Sequence, residues 1–487
     1  MTRPLERANY RLTFLTLLLG VTAYSLLQSL VIPALPTIQH DMHTSQNTVT
    51  WVVTVYLLSA SIFTPIMGRI GDMVGKERML VATLVALAAG SVVAGLAHSI
   101  GVLIVGRAIQ GIGGGVLPLS FGIIRDEFPA AKVPGGVGVI AAMTAVGGGI
   151  GLVVAGPIIT HLNYHWLFWI PLIIVVLAGI CAQLFVPESP IRTPGRISWP
   201  AAALLSGWLV ALLVAVSEAP KWGWGSSKVI GLIALAVVVG VAWVVVELRA
   251  REPLIDMHMM RVPAVWTNNL VAFLFGIGMY SVIAFLPQFL QTPKSTGYGF
   301  GASIIQSGLY LLPLTVTMFA FGMLSGRIAA RYGSKAAVIV GSFFSLGAYL
   351  MLAFAHSESW EIYVASTLLG VGLGLAFSAM SNLIVQAVPP AQTGVASGMN
   401  ANIRTIGGAV GAAVMSSIVT STLLHSGYPA ARGYTYGFAF LAAMTLVAIV
   451  ASIFIPTSTS TAARDDHEHH LQNAELALVA GGTIAEE

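Results

Sequence analysis

Charge is what this sequence has least of. Only 9% of its 487 residues are Asp, Glu, Lys or Arg, whereas a soluble protein carries about 25% charged residues. Hydrophobic residues make up 56% of the chain, and the mean hydropathy is +0.85. This composition excludes soluble classes and predicts a polytopic membrane protein that resides in a lipid bilayer. We attribute the net charge of +4 to loops at one membrane face and not to a nucleic-acid-binding surface.

Several chemical groups are also scarce or absent. The one cysteine, Cys181, excludes an intramolecular disulfide. The glycine-rich runs 111–115 and 370–374 lie in apolar segments and lack the Gly-Lys-Ser/Thr of a phosphate-binding loop, so we expect no nucleotide cofactor. The acidic and histidine-rich run 465–470 is interpreted as a solvated charge run, and no metal site is predicted. Since no nucleophile, base or metal cluster stands out, we do not expect an enzyme.

Fourteen apolar runs are each long enough to cross a bilayer as a helix, which takes about 20 residues. The predicted helices 1 to 14 cover residues 12–35, 49–67, 79–97, 101–124, 136–160, 165–186, 199–216, 229–246, 265–290, 302–325, 336–355, 362–385, 394–419 and 434–455. With the N-terminus inside, 17 of the 23 Lys and Arg residues fall in cytoplasmic segments and 4 in external loops. This bias predicts cytoplasmic termini and an even number of helices. Low charge and the lack of glycosylation sequons favour a bacterial plasma (inner) membrane.

The stretch 68–78, GRIGDMVGKER, joins predicted helices 2 and 3, and a degenerate copy, GRIAARYGSK, occupies residues 326–335. Two related segments so far apart indicate two related halves. We expect the glycines to form a tight turn and the cations to hold it at the negatively charged cytoplasmic leaflet. We interpret the first copy as a conformational latch that can pair charges in one state of a moving protein. Its residues are Gly68, Arg69, Asp72, Gly75, Lys76 and Arg78.

Charges within the predicted helices are few. Arg107 on helix 4 is expected to face a cavity, with Gln110 on the same side, because an arginine exposed to lipid is costly. For Arg404 on helix 13 the sequence allows two positions, one facing the cavity and one at the membrane surface near the cytoplasmic end of the helix. None of the 19 acidic residues lies in the middle of a predicted helix.

Polar and aromatic side chains inside predicted helices are candidates for lining a central cavity, because they must avoid lipid. The candidates are Tyr24, Gln28, Trp51, Tyr56, Arg107, Gln110, Asn268, Asn269, Tyr280, Gln306, Tyr310, Asn382, Asn400 and Asn402. About half of them are expected to line the cavity, while the others bond helix to helix. An uncharged cavity rich in aromatic residues and methionine suits hydrophobic, amphipathic or cationic organic molecules.

Predicted helix 5 carries small residues at regular spacing. Gly147, Gly151 and Ala155 repeat every four residues and share one face. Such residues let helices pack backbone to backbone. We predict a packing seam against the other half of the molecule, formed by Gly138, Gly147, Gly151 and Gly156, with a bend at Pro157.

These motifs together resemble the major facilitator superfamily and, within it, the fourteen-helix drug:proton antiporter family. Residues 68–78 are similar to the superfamily's signature between helices 2 and 3. Arg107-x-x-Gln110-Gly111 is similar to the helix 4 signature, whose arginine that family links to proton coupling. Gly138, Gly147 and Gly151 are similar to the antiporter signature of helix 5, although Leu152 and Ala155 depart from it.

The resemblance covers all fourteen predicted helices. It implies a major facilitator fold, an all-α membrane protein with alternating access around a central site. The implied parts are an N-terminal six-helix bundle (1–187), a linker with two extra helices (188–263), a C-terminal six-helix bundle (264–456) and a disordered cytoplasmic tail (457–487). Its partners would be a small-molecule substrate and protons, and we expect a monomer.

Two functions remain open. One is proton-driven export of small hydrophobic or amphipathic compounds such as drugs or antibiotics. The other is an uncoupled facilitator or uptake carrier for a small organic metabolite. The second is open because many relatives carry an Asp in helix 1 where this chain has Leu27. Asp72, by elimination, and Arg107 are the candidates for proton coupling.

Overall fold

A computed structural model describes residues 10–44, 46–189, 198–250, 253–425 and 428–456. Within these ranges the regular secondary structure is helical, and Leu423 and Pro429 form an isolated β-bridge. The predicted cytoplasmic tail lies outside the described residues.

Within the described residues, the first half of the chain forms eight α-helices. They are α1 (Tyr10–Ser29), α2 (Leu35–Asp41), α3 (Gln46–Val74), α4 (Lys76–Gly95), α5 (Ile100–Gly111), α6 (Val116–Glu127), α7 (Val133–His161) and α8 (Trp166–Phe185). A 3-10 turn, Ile112–Gly115, connects α5 and α6, so these two helices form one continuous span over residues 100–127.

The second half contributes nine further α-helices in the ranges that the structure describes. They are α9 (Trp199–Trp222), α10 (Ser227–Arg249), α11 (Met257–Arg261), α12 (Pro263–Gln291), α13 (Ile304–Tyr332), α14 (Ser334–Phe354), α15 (Ser359–Ala387), α16 (Thr393–Thr420) and α17 (Ala431–Ile453). In the described part of the chain, fourteen segments are long and apolar enough to cross a membrane. This number confirms the predicted count.

Several predicted boundaries are wrong, and two of them bear on the site. The first helix ends at Ser29 and not at residue 35, because Pro33 supplies no backbone N–H and the chain continues through turns before α2. The predicted tight turn over residues 68–78 is also wrong. The helix α3 runs through Gly68 and Gly71 to Val74, and Gly75 alone turns the chain, with φ of 130°.

Buried side chains form three hydrophobic clusters. One is built mainly from the helices α1 through α8, and a second is built from the helices α12 through α17. The third joins α9 to α3 and α16, and includes Leu205, Ile66 and Met399. The helix α9 therefore packs against one helix from each of the first two groups.

The two copies of the glycine motif occupy equivalent places. Gly68 on α3 lies against the backbone of Gly394 at the start of α16, and Gly326 on α13 lies against the backbone of Gly135 at the start of α7. Gly333, with φ of 84°, separates α13 from α14 as Gly75 separates α3 from α4. A side chain at Gly68 or Gly326 would hold these helices apart.

The predicted seam on α7 is partly wrong. Gly147 and Gly151 pack against Ser25 and Ser29 of α1, in the same half of the molecule. Gly138 and Gly156 do face the other half, where they contact Ser378 and Ile305. A spacing of four residues identifies a small face but does not say which neighbour covers it. Pro157 is exposed within α7, which continues to His161.

The two turn glycines allow a stability test. We expect Gly75→Ala and Gly333→Ala each to lower the free energy of unfolding by about 1–3 kcal/mol, because their φ angles suit glycine. Gly75→Ala should lower the free energy of unfolding more, because a Cβ at Gly75 would meet the Glu188 carboxylate. A Cβ at Gly333 would have no neighbouring atom within 4 Å. Thermal unfolding of detergent-solubilised protein measures this. The control is Gly347→Ala in α14, which should not be destabilising. Equal midpoints of thermal unfolding in all three variants would contradict the proposed backbone strain at positions 75 and 333.

Candidate functional site

Asp72 joins the two halves of the molecule at the end where α3 meets α16. It lies near the last turn of α3, is fully buried, and its Oδ2 accepts a hydrogen bond from the backbone N–H of Val395 at 3.2 Å. Val395 is in the first turn of α16, where N–H groups lack partners within the helix. A carboxylate is favoured there by hydrogen bonding and by the helix dipole. We call this side of the molecule the latch end.

Lys76 organises a buried charge cluster beside Asp72. Its Nζ lies 2.6 Å from Asp126 Oδ2 on α6 and 3.6 Å from Asp72 Oδ1, and all three side chains have no exposed surface. The hydroxyl of Ser189 also donates to Asp126. The expected position of Lys76 at the lipid headgroups is therefore wrong, because two carboxylates hold its ammonium group inside the protein.

The other two latch cations point elsewhere. Arg78 is largely exposed and forms an ion pair with Glu188, its Nε 3.3 Å from Oε2. Such an exposed pair stabilises little. Arg69 is buried. Of the latch cations, Lys76 thus pairs with Asp72 itself, whereas Arg78 binds the segment that follows α8.

Further hydrogen bonds between the halves surround the latch. Arg125 Nη1 donates to Val388 O and to Thr393 Oγ1, both at 2.7 Å. Asn382 Nδ2 donates to Pro134 O at 3.0 Å. Together with the close approaches of Gly68 and Gly326, these contacts close the space between the halves at the latch end.

Arg107 is fully buried among side chains of the first half and does not point into lipid. It donates to Leu27 O (3.0 Å), Val52 O (3.1 Å) and Gln110 Oε1 (2.8 Å), and Gln110 in turn donates to Ser91. Its guanidinium carbon lies 4.1 Å from the centre of the Tyr56 ring. Arg107 therefore connects α1, α3 and α5.

A central cavity lies between the halves, around Tyr280 of α12. It consists of three adjoining spaces of about 110, 40 and 30 Å³, each lined by Tyr280. The largest is mostly apolar and includes Met279 and Leu314. Arg404 on α16 lines the two smaller spaces. The expectation of an uncharged cavity is therefore wrong.

The sequence pattern of the Major Facilitator Superfamily matches residues 17–412, and a second, overlapping match covers residues 270–480. The chain belongs to the major facilitator superfamily. Its two halves and fourteen spans are the fold that the sequence resemblance implies.

The superfamily relatives include named exporters and a nucleoside carrier. The Multidrug transporter protein MdtP of Bacillus subtilis is 28% identical over 86% of this chain and 77% of its own length. The Tetracenomycin C resistance and export protein of Streptomyces glaucescens is 26% identical over 84% of this chain and 76% of its own length. The Uridine/deoxyuridine transporter of Lactococcus lactis is 26% identical over 91% of this chain and 94% of its own length. These relatives are bacterial proteins.

A solved structure shows the same fold. The human organic anion transporter MFSD10 superposes with a TM-score of 0.68, covering 92% of this chain and 100% of that one, at 17% sequence identity. At this identity the likeness concerns the major facilitator fold alone.

Within this facilitator fold, the predicted cavity residues separate into groups. Tyr24, Gln28, Tyr280 and Asn400 line the cavity. The ring centre of Tyr56 lies 6.3 Å from that of Tyr24, with the two rings tilted by 31°. Tyr56, Arg107 and Gln110 are absent from the cavity wall. The prediction that Arg107 faces the cavity is thus wrong for this conformation, because backbone carbonyls of α1 and α3 bind its guanidinium.

The remaining predicted cavity residues lie elsewhere. Asn268 donates to Met380 O, and Asn269 accepts from Asn400, so both bond helix to helix. Trp51 packs with the α9 cluster. Gln306 caps the start of α13, and Tyr310 stacks on Tyr363 in a separate pocket away from the central cavity.

Several cavity residues escaped the sequence prediction. Ser61 and Ser397 line the spaces beside Arg404, as does the predicted residue Asn402. Serine is common in membrane helices, where its hydroxyl usually bonds to a carbonyl one turn earlier. Sequence alone gives no signal to separate these two uses. Arg404 was detectable, because a charge inside a membrane helix marks a functional candidate.

The charge cluster predicts a large effect of one substitution. We expect Lys76→Met to lower the free energy of unfolding by about 3–5 kcal/mol, because it leaves Asp72 and Asp126 buried without their cation. The matched control is Lys294→Met at an exposed site, which should change stability by no more than about 0.5 kcal/mol. Thermal unfolding in detergent compares the two. Similar midpoints would mean that the buried cluster does not stabilise the fold.

Proposed function

We propose that the protein exports small hydrophobic or amphipathic compounds, such as drugs or antibiotics, by alternating access. The observation that carries this proposal is a largely apolar cavity between two halves that are held together at one end by the latch. Rocking of the halves would open the latch end and close the opposite end around the cavity. The names of the multidrug and antibiotic-resistance relatives support such a cargo.

We further propose that the latch end is cytoplasmic, as are both termini, in a bacterial plasma membrane. The excess of Lys and Arg in the segments at this end supports the orientation. In this conformation the cytoplasmic mouth is closed. A cargo released from it would leave on the external side.

Proton coupling is proposed through Arg107. Its resemblance to the signature arginine of drug:proton antiporters supports this role, as does its bonding. Arg107 holds carbonyls of both α1 and α3, so a shift between these helices would change its partners. Asp72 is proposed as the latch and not as the proton carrier, because α16 and Lys76 both hold its carboxylate.

A second candidate is an uncoupled carrier. The observation that favours it is the lack of any Asp or Glu among the described residues that line the central cavity. A proton-coupled pump needs a group that binds and releases protons as access alternates. The name of the nucleoside-transporting relative is consistent with a metabolite as cargo.

Everted vesicles from a host without its own pumps distinguish these candidates. We expect at least one compound from a panel of hydrophobic dyes and antibiotics to release protons from energised vesicles. Arg107→Ala should abolish this release, because it removes the hydrogen bonds that join Arg107 to Leu27 O of α1 and Val52 O of α3. Arg327→Ala, at an exposed site, is the control and should leave the release intact. Transport without any proton movement would exclude antiport and leave the uncoupled carrier.

The latch is tested separately. We expect Asp72→Asn to slow transport several-fold, because a neutral amide binds the start of α16 and Lys76 more weakly than a carboxylate does. Compound binding to the solubilised protein should stay within about two-fold of wild type, since Asp72 does not line the cavity. Glu358→Gln, far from the latch at the start of α15, is the control. If Asp72→Asn abolishes binding, Asp72 belongs to the substrate site.

A further inference from the structure

The central cavity has an unbalanced charge. Arg404 is the one charged side chain among the described residues that line it. The structure describes 11 of the 19 acidic residues, and those within its membrane-spanning helices lie near helix ends, as Asp72 and Asp126 do. The positive charge of Arg404 is therefore not neutralised by a carboxylate in the cavity.

The guanidinium of Arg404 also lacks polar partners. Its carbon atom lies 4.9 Å from the centre of the Phe377 ring. In the part of the chain that the structure describes, the side chain makes no hydrogen bond or salt bridge. Arg107, which lies within a spanning helix of the first half, donates three hydrogen bonds. An arginine that leaves its donors unused between membrane helices is costly unless something else satisfies them.

Neutral donors without partners surround the same space. The hydroxyls of Ser61 and Ser397 and the amide of Asn402 are buried and make no hydrogen bond, and these residues line the two spaces that Arg404 lines. Hydroxyl and amide groups can donate to the same acceptor that an arginine binds. One cation and several neutral donors with no competing acid are the donor set of an anion site.

We propose that the substrate is an amphipathic molecule with one negative charge, such as an aromatic carboxylate, sulfonate or phenolate. Its anionic group binds Arg404 and the neutral donors, and its apolar part occupies the larger space beside Met279 and Tyr280. This assignment rests on the proposed carrier function and names its cargo. Cationic compounds are disfavoured, because their charge would lie beside the like charge of Arg404.

A pair of fluorescent compounds tests the charge directly. Anilinonaphthalene sulfonate is a monoanion, and N-phenylnaphthylamine has the same rings without the sulfonate. Equilibrium dialysis against purified protein in detergent, with empty micelles subtracted, gives both dissociation constants. For wild type we expect the sulfonate to bind at least about ten-fold more tightly than the neutral amine.

Substitution at position 404 then locates the site. Arg404→Gln should weaken binding of the sulfonate by about ten-fold or more and leave the amine within about two-fold, which also shows that the variant is folded. Arg404→Lys should retain part of the preference, because it keeps the charge. Arg327→Gln removes one exposed positive charge and should behave as wild type.

Two results would contradict the proposal, in different ways. If both compounds bind equally and Arg404→Gln changes neither, the anion site is wrong while a carrier for amphipathic compounds stands. If neither compound binds above the level of empty micelles, the amphipathic cargo is contradicted together with the anion site.

Discussion

The buried carboxylate of Asp72 lies at the centre of the contacts that hold the two halves of this molecule together at the latch end. Asp72 accepts a hydrogen bond from the backbone N–H of Val395 at the start of α16, while Lys76, which also pairs with Asp126, holds it from its own side. A charge buried in this way is stable only with its partners. If α16 moves away, Asp72 loses its hydrogen bond to Val395 but keeps its ion pair with Lys76. The free energy of opening therefore includes the loss of only part of the bonding of Asp72. The contact can therefore be both strong enough to close the mouth and weak enough to release it.

The second half repeats the geometry of the latch without its charges. Gly326 and Gly333 correspond to Gly68 and Gly75, but Ala330 and Ser334 stand where the first half has Asp72 and Lys76. The approach of α13 to α7 therefore depends on small residues and on neutral bonds such as the one from Asn382. Close packing occurs in both halves, and the ionic control lies in the first.

The sequence predicted the number of spans well because lipid imposes a length on apolar runs. It failed at residues 68–75, where glycines in a polar run suggested a loop although the helix continues. Inside a membrane or a packed interior the backbone keeps its helical bonds, because no water replaces them. The seam on α7 failed for another reason. A stripe of small residues says that something packs closely, and only the tertiary arrangement says that α1 covers Gly147 and Gly151.

The cavity was harder to predict than the latch. The latch is contiguous in sequence, so its charges are visible together, whereas the cavity takes residues from distant helices. Asparagines such as Asn268 and Asn382 look like cavity residues but bond helix to helix, since both uses keep an amide away from lipid. Arg107 and Arg404 have similar sequence surroundings, yet Arg107 donates to carbonyls of neighbouring helices whereas Arg404 faces the cavity.

The positive charge of Arg404 bears on the source of energy. Cells maintain a cytoplasm that is electrically negative, and moving one elementary charge through 100 mV is worth about 2.3 kcal/mol. A monoanion paired with Arg404 would be driven outward by this voltage, which could concentrate it roughly 50-fold outside at that potential. Such a pump would need no carboxylate to carry protons. The lack of an acid in α1 and the unpaired arginine in α16 would then have one explanation, which is transport of a net negative charge driven by the membrane voltage.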